Sequence, residues 1–257
     1  MKRLIYQVYV GKKSKLYDHC TSSVKAYCKA HDIDYVLQDQ PILMITPDIF
    51  NTNRSKEATA RLGYLPIYEK ENAFTYLRTY DQVAIIDSDV YIRPYAPNVF
   101  EFLEPEYDFG AVMEREMPIT EAYKSKIRNY SAMQYQGIQH VDFKKNDLGY
   151  EFANMGVMIM NKSVLNYLKG MTPLQFIRQP KFKAFVDGLG AWKWSTDQTL
   201  LNTWIKEDKL KVKNMHWTWN GLYSANTRIK DCHFVHFFLK DKLPEAGENV
   251  EELMKQI

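Results

Sequence analysis

The stretch Val83-Ala84-Ile85-Ile86-Asp87-Ser88-Asp89-Val90-Tyr91-Ile92 decides how the rest of this 257-residue chain is read. An apolar, largely β-branched run stops at two carboxylates one residue apart. A buried strand that ends this way delivers negative charge to the edge of a sheet where α/β proteins bind ligands. On a continuing strand, residues at i and i+2 share a face, and a turn beginning at Asp87 lets both carboxylates converge on one hard cation. Without a cation nearby the pair would repel. A second Asp-x-Asp, Asp32-Ile33-Asp34, precedes an apolar run instead of ending one, and reads as a solvated turn feeding a strand.

Working outward, residues 4–10 predict a first strand closed by Gly11, and 14–30 a helix with Val24, Tyr27 and Cys28 on one face. A second strand at 33–37 completes a βαβ opening, which predicts a mainly parallel sheet. Residues 41–53 read as irregular. Residues 56–62 and 68–80 read as helical, the latter with Ala73, Phe74 and Leu77 as its apolar stripe. A short helix at 98–103 and a strand at 108–113 follow. From 114 to 150 periodicity is lost, which predicts variable loops covering a site. Residues 152–161 predict a strand with a polar entrance, and 163–169 a helix. At 196–206 Leu200, Leu201, Trp204 and Ile205 mark the core face of another helix, while Ser195-x-x-Gln198 matches a capping box. An aromatic turn at 217–221, a last strand at 232–238 and a terminal helix from 245 complete the chain.

Apolar content of 46% and charged content of 25% are those of an ordinary globular protein, and the length fits one α/β domain with two lobes. A net charge of +3 is too small to argue for nucleic acid, and no nucleic-acid-binding motif is present. Basic residues at 206–213 and at Lys240 and Lys242 could serve an anionic ligand or a membrane surface, with solvated surface the plainer reading for all but Lys242. Cys20, Cys28 and Cys232 leave one cysteine over, which argues for a reducing compartment. Met1-Lys2-Arg3 and the following apolar residues resemble a signal peptide, but the run is short, contains Gln7 and lacks a small-residue cleavage site. No stretch approaches the roughly 18 apolar residues of a membrane span. The expectation is a cytoplasmic protein, with peripheral membrane contact and oligomeric state left open.

Taken in order, Tyr80-Asp81-Gln82-Val83-Ala84-Ile85-Ile86-Asp87-Ser88-Asp89, Asn154-Met155-Gly156-Val157, Asp197-Gln198, and His236 with Lys242 resemble the motifs of nucleotide-sugar glycosyltransferases of the GT-A fold. The closest resemblance is to the glycogenin-like family 8, and it runs from Lys70 through Lys242. It implies a mainly parallel sheet flanked by helices, with residues 1–113 as the nucleotide-sugar lobe, 114–242 as the acceptor lobe that completes the metal site, and 243–257 as a terminal helix. It implies a divalent cation, Mn2+ or Mg2+, held by Asp87, Asp89 and His236, with Asp87 also near the ribose. The donor would be a nucleotide sugar, UDP-linked, and the acceptor a glycan, glycolipid or protein hydroxyl. Such a cation stabilises the charge that builds on the departing diphosphate.

By the same resemblance Ser88 and Lys70 lie beside the donor, and Lys242 neutralises the diphosphate. Asn154 would bond a sugar hydroxyl, and Gly156 would let the backbone approach closely. Asp197 and Gln198 lie nearest the reacting carbon. Tyr9 is a candidate contact for the base. The family's His-x-x-Gly-x-x-Lys reads here as His236-Phe237-Phe238-Leu239-Lys240-Asp241-Lys242, with leucine in place of glycine. Family resemblance favours retention of anomeric configuration. An inverting relative using Asp197 or a loop carboxylate as base stays open, as does a non-catalytic carbohydrate-binding descendant. A haloacid-dehalogenase-type phosphotransferase also starts from a strand ending in Asp-x-Asp, but there the pair follows the first strand and different acidic motifs come after it.

Overall fold

The computed structural model describes residues 1–55 and 63–257, so the helix expected at 56–62 lies outside the described residues. Six strands form the central sheet: β1 (Arg3–Val8), β2 (Asp34–Gln38), β3 (Gln82–Ile86), β5 (Phe109–Met113), β8 (Ala153–Asn161) and β9 (Val212–Asn214). Their order is β2-β1-β3-β8-β5-β9. Only β8 runs against the others, pairing antiparallel with β3 and β5. All residues of β3 and all of β8 are buried, as expected of strands covered on both faces. A smaller sheet joins β4 (Val90–Ile92) with β10 (Gly221–Leu222) and β11 (Phe234–His236), and β6 (Lys145–Asn146) pairs with β7 (Gly149–Tyr150) as a short hairpin. One apolar cluster runs from Leu4 through Met160 to Phe234, so the fold is a single mixed α/β domain with a mainly parallel sheet.

Helix α1 (Lys15–Ala30) buries Val24, Tyr27 and Cys28, the face expected of it. The turn at Asp32 has φ +53, which a short polar residue tolerates, so the second Asp-x-Asp is a turn entering β2. Pro66–Arg78 is helical as expected but wound as a 3-10 helix. Glu69 in it accepts from Gln38 Nε2 at 2.7 Å and from the backbone N–H groups of Ile42, Leu43 and Met44 at 2.7–3.0 Å, which satisfies the irregular segment after β2. The three cysteines are buried and free, and among the described residues no helix is long and apolar enough to cross a membrane.

The expectation of loops from 114 to 150 is overturned by α2 (Glu121–Tyr135) and the β6–β7 hairpin. The buried face of α2 is Ile127, Ser131, Gln134 and Tyr135, so half of it is polar and it leaves little apolar periodicity. Gln134 accepts from Thr199 Oγ1 at 2.7 Å and Trp192 Nε1 at 2.9 Å, fixing α2 against α3 (Asp197–Glu207). The capping box at Ser195 does not form. Thr196 is the N-cap of α3, and its hydroxyl accepts from Gln198 N at 3.3 Å. The last strand is shorter than expected, and the terminal helix α4 (Val250–Gln256) starts later. Of the basic residues at 206–213, Lys206 pairs with Glu151 and Lys213 with Glu104.

Candidate active site

Strand β3 stops at Ile86, and the chain turns through Asp87-Ser88-Asp89 into β4. Backbone bonds clamp this turn on every side. Asp87 N donates to Gly156 O at 2.8 Å, Val90 N to Asp87 O at 3.1 Å, and Phe237 N to Asp89 O at 2.9 Å. Gln7, fully buried in β1, donates its side-chain amide to Asp87 O at 3.1 Å. These bonds fix the turn that carries both carboxylates. Strand β11 returns antiparallel to β4 with His236 opposite Val90, which sets the imidazole beside Asp89. His236 Nε2 lies 3.3 Å from Asp89 Oδ1 and 3.9 Å from Asp87 Oδ2. The ligand atoms of the three residues lie within 4.8 Å of one another. Asp89 Oδ1 is buried with no well-aligned hydrogen bond, and two carboxylate oxygens with one imidazole nitrogen suit a hard to borderline divalent cation.

Lys70 sits behind this cluster. Its ammonium lies 2.8 Å from Asp87 Oδ1 and 2.7 Å from Asp197 Oδ2, and donates to Met155 O at 3.2 Å. Burial opposes its charge, but Asp197 and Asp87 outweigh burial and hold it protonated, with its pKa raised. Burial raises the Asp197 carboxyl, and Lys70 pulls it back. Glu71, buried with neither oxygen hydrogen-bonded, is pushed well above the usual carboxyl range, first by burial and then by Asp197.

The polar entrance of β8 forms the opposite wall. Between Ala111 and Val112 the β5–β8 register shifts, so Val112 pairs with Asn154 while Ala111 pairs with Met158. This irregularity leaves 155–157 unpaired with β5 and turns Gly156 toward the site. A Cβ on Gly156 would lie 2.3 Å from His236 Cε1 and 2.5 Å from Nδ1. The glycine is therefore required by the imidazole packed on it. Gly156→Ala is expected to cost about 1–3 kcal/mol by overpacking, read from the urea midpoint of unfolding.

Asn154, Gly156, Asp197 and Gln198 meet Lys70, Asp87 and His236 around one cavity of about 410 Å3. Gln198 is held at both ends, accepting from Met155 N at 3.2 Å and donating to Tyr130 OH at 3.3 Å. Two polar residues that sequence reasoning did not single out belong to the same network. Glu114, at the end of β5, accepts from Tyr123 OH at 2.6 Å and Asn154 Nδ2 at 2.8 Å, and burial raises its carboxyl. Asn220, noticed only as the end of an aromatic turn, bonds both Asn154 and His236. A buried polar residue announces itself in sequence only where its neighbours break pattern, and neither does.

The whole chain superposes on solved structures of sugar-transferring enzymes. A glycosyltransferase involved in glycosylation of the major capsid of PBCV-1 matches with a TM-score of 0.54 at 13% identity, over 98% of this chain and 100% of that one. The galactosyltransferase LgtC, in complex with donor and acceptor sugar analogues, matches with a TM-score of 0.52 at 14% identity, over 98% and 94%. The chain has the GT-A fold. Mouse xyloside xylosyltransferase 1 matches with a TM-score of 0.50 at 13% identity, over 95% and 100%. No family model and no curated sequence matches the chain.

Within the GT-A fold, two residues picked from sequence stand away from the cavity. Lys242 closes the 3-10 turn Lys240–Lys242 with 57% of its side chain exposed, and its nearest acid is Asp241 at 3.9 Å. Lys240 instead lies over the Tyr17 ring at 3.5 Å, where burial and then Asp89 act on its ammonium. The preceding Leu239 has φ +58 and ψ +64, the left-handed conformation that favours the glycine expected there. Its side chain lines the cavity. Tyr9 is 3% exposed, and its hydroxyl accepts from Ser14 N at 2.6 Å, where it braces the entry to α1. Ser88 lies half-buried between the two carboxylates.

Proposed function

We propose that the chain is a metal-dependent glycosyltransferase that moves a sugar from a nucleoside diphosphate donor, UDP-linked, to a hydroxyl of a glycan, glycolipid or protein, with retention of configuration. The observation that carries this reading is the convergence of Asp87, Asp89 and His236 at the end of β3, against a cavity that also holds Lys70, Asp197 and Gln198. Asp87, Asp89 and His236 would hold Mn2+ or Mg2+, which supplies Lewis-acid stabilisation of the departing diphosphate. Lys70 pairs with Asp87 and Asp197 and fixes both carboxylates in place. Residues 1–113 bind the nucleotide, and 114–242 supply the acceptor side through α2.

Retention is supported by the state of the carboxylates around the cavity. An inverting enzyme needs one free to take the acceptor's proton. Among the described lining residues, Asp87 and Asp197 are tied to Lys70, and Glu114 is closed in by Tyr123 and Asn154. Gln198, fixed at both ends, lines the cavity beside Asp197.

Incubation with a panel of nucleotide sugars in Mn2+ is expected to release UDP from a UDP-sugar, and NMR of the product's anomeric proton is expected to show the donor's configuration. Intact metal binding with no nucleotide released from any donor would instead support a binding protein built on the same fold.

A further inference from the structure

The network behind His236 has a direction that its one backbone donor fixes. Gly156 N is an N–H and can only donate, so the atom of Asn154 facing it at 3.0 Å must be the carbonyl oxygen Oδ1. The Asn220 atom 2.8 Å from that same oxygen must therefore be Nδ2. Asn220 is then oriented with Oδ1 toward His236 Nδ1, at 3.1 Å. An amide oxygen only accepts, so Nδ1 carries the hydrogen. In the neutral ring the lone pair is left on Nε2, the nitrogen that faces Asp89 and Asp87. The far end agrees independently, because Asn154 Nδ2 donates to Glu114 Oε2. Asn220 is fully buried and Asn154 is 7% exposed, so water does not compete for these bonds.

We infer that Gly156, Asn154 and Asn220 form a relay that dictates the tautomer and orientation of His236, making Asn154 and Asn220 positioning residues for a cation ligand. Asn154, expected from sequence to bond a sugar hydroxyl, accepts twice through its oxygen, and its nitrogen has one hydrogen left to offer. The link to a cation rests on the proposed function, whereas the tautomer does not. Outer-sphere partners of a metal-ligating histidine orient the ring and raise affinity, typically by 10–100-fold.

The test uses the full chain with nitrogen-15-labelled histidine, metal-free, at a pH raised until the nitrogen shifts show a neutral ring. Long-range proton–nitrogen correlations read the tautomer, and the His236 signals are assigned by their loss in His236→Gln. Wild type is expected to show the Nδ1–H form. Asn220→Asp, which keeps an acceptor, should retain it, and Asn220→Leu, of similar size without one, should move toward the Nε2–H form of a free imidazole. Titration with Mn2+ followed by electron paramagnetic resonance is expected to show affinity weakened about 10–100-fold in Asn220→Leu and largely preserved in Asn220→Asp. A role in packing alone would spare the tautomer and would not rank the variants this way. An Nε2–H ring in wild type overturns the relay even if no variant folds, and so does an unchanged ring in Asn220→Leu. If wild type shows the expected tautomer yet binds no Mn2+, the relay stands and the metal reading falls.

Discussion

Asp89→Ala is expected to lower the rate of nucleotide release from the donor by about 1,000-fold, with little loss of stability. Metal stabilisation of a departing phosphate is worth several kcal/mol, and about 4 kcal/mol corresponds to that factor. Asp89 is the informative choice because, unlike Asp87, it makes no ion pair with Lys70. Its Oδ1 lacks a hydrogen-bond partner, and among the described residues its ion-pair neighbour is His236. Removing it leaves the Lys70 ion pairs with Asp87 and Asp197 intact and relieves repulsion with Asp87. A rate within tenfold of wild type, measured at saturating Mn2+, would contradict the metal assignment. Asp87→Ala is a poorer test, since it also strips Lys70 of one of its two carboxylates.

Lys70→Met carries the largest expected effect on stability. The ammonium is 7% exposed and compensates Asp197 at 3% and Asp87 at 23%. Removing one partner of a buried ion pair typically costs 3–5 kcal/mol, because the survivors remain desolvated and unpaired, and a loss of about that size is expected from urea unfolding at neutral pH. The loss should depend on pH. Asp197 and Glu71 already have pKa values raised above their usual 3.8 and 4.5, first of all by burial. A carboxyl raised in the folded state contributes stability that is present at low pH and falls as pH rises through its folded pKa. Without Lys70 the Asp197 carboxyl rises further, so the deficit should shrink on acidification toward the carboxylate range and widen above it. A deficit below about 1 kcal/mol, or one independent of pH, would show that Lys70 is not the buried counter-charge.

The parts of this molecule that were legible in the sequence are those with local causes. The run Val83 to Ile86 ending at Asp87 and Asp89 is a strand and turn because neighbouring residues say so, and β1, α1 and β8 are readable for the same reason. His236 and Lys70 were legible only through resemblance, since the contacts that bring them to Asp87 depend on β11 pairing with β4 and on a helix 17 positions upstream. Helix α2 was hidden by its own buried face, where Ser131 and Gln134 interrupt the apolar stripe because they bond the hairpin and α3. Glu114 and Asn220 carry no spacing signal at all, and their roles exist only once β5, β8 and β11 are assembled. Lys242 has the expected spacing from His236, and it lies exposed on the 3-10 turn that follows the left-handed Leu239. Ser195 and Thr196 are adjacent and chemically equivalent as caps, so only the backbone distinguishes them.

The most direct test of the central claim, that Asp87, Asp89 and His236 hold a cation that grips the donor's diphosphate, is calorimetry of UDP binding to the wild-type chain with Mn2+ and with a chelator. UDP is expected to bind in Mn2+ and to lose that binding on chelation. Equal affinity under both conditions would contradict that claim.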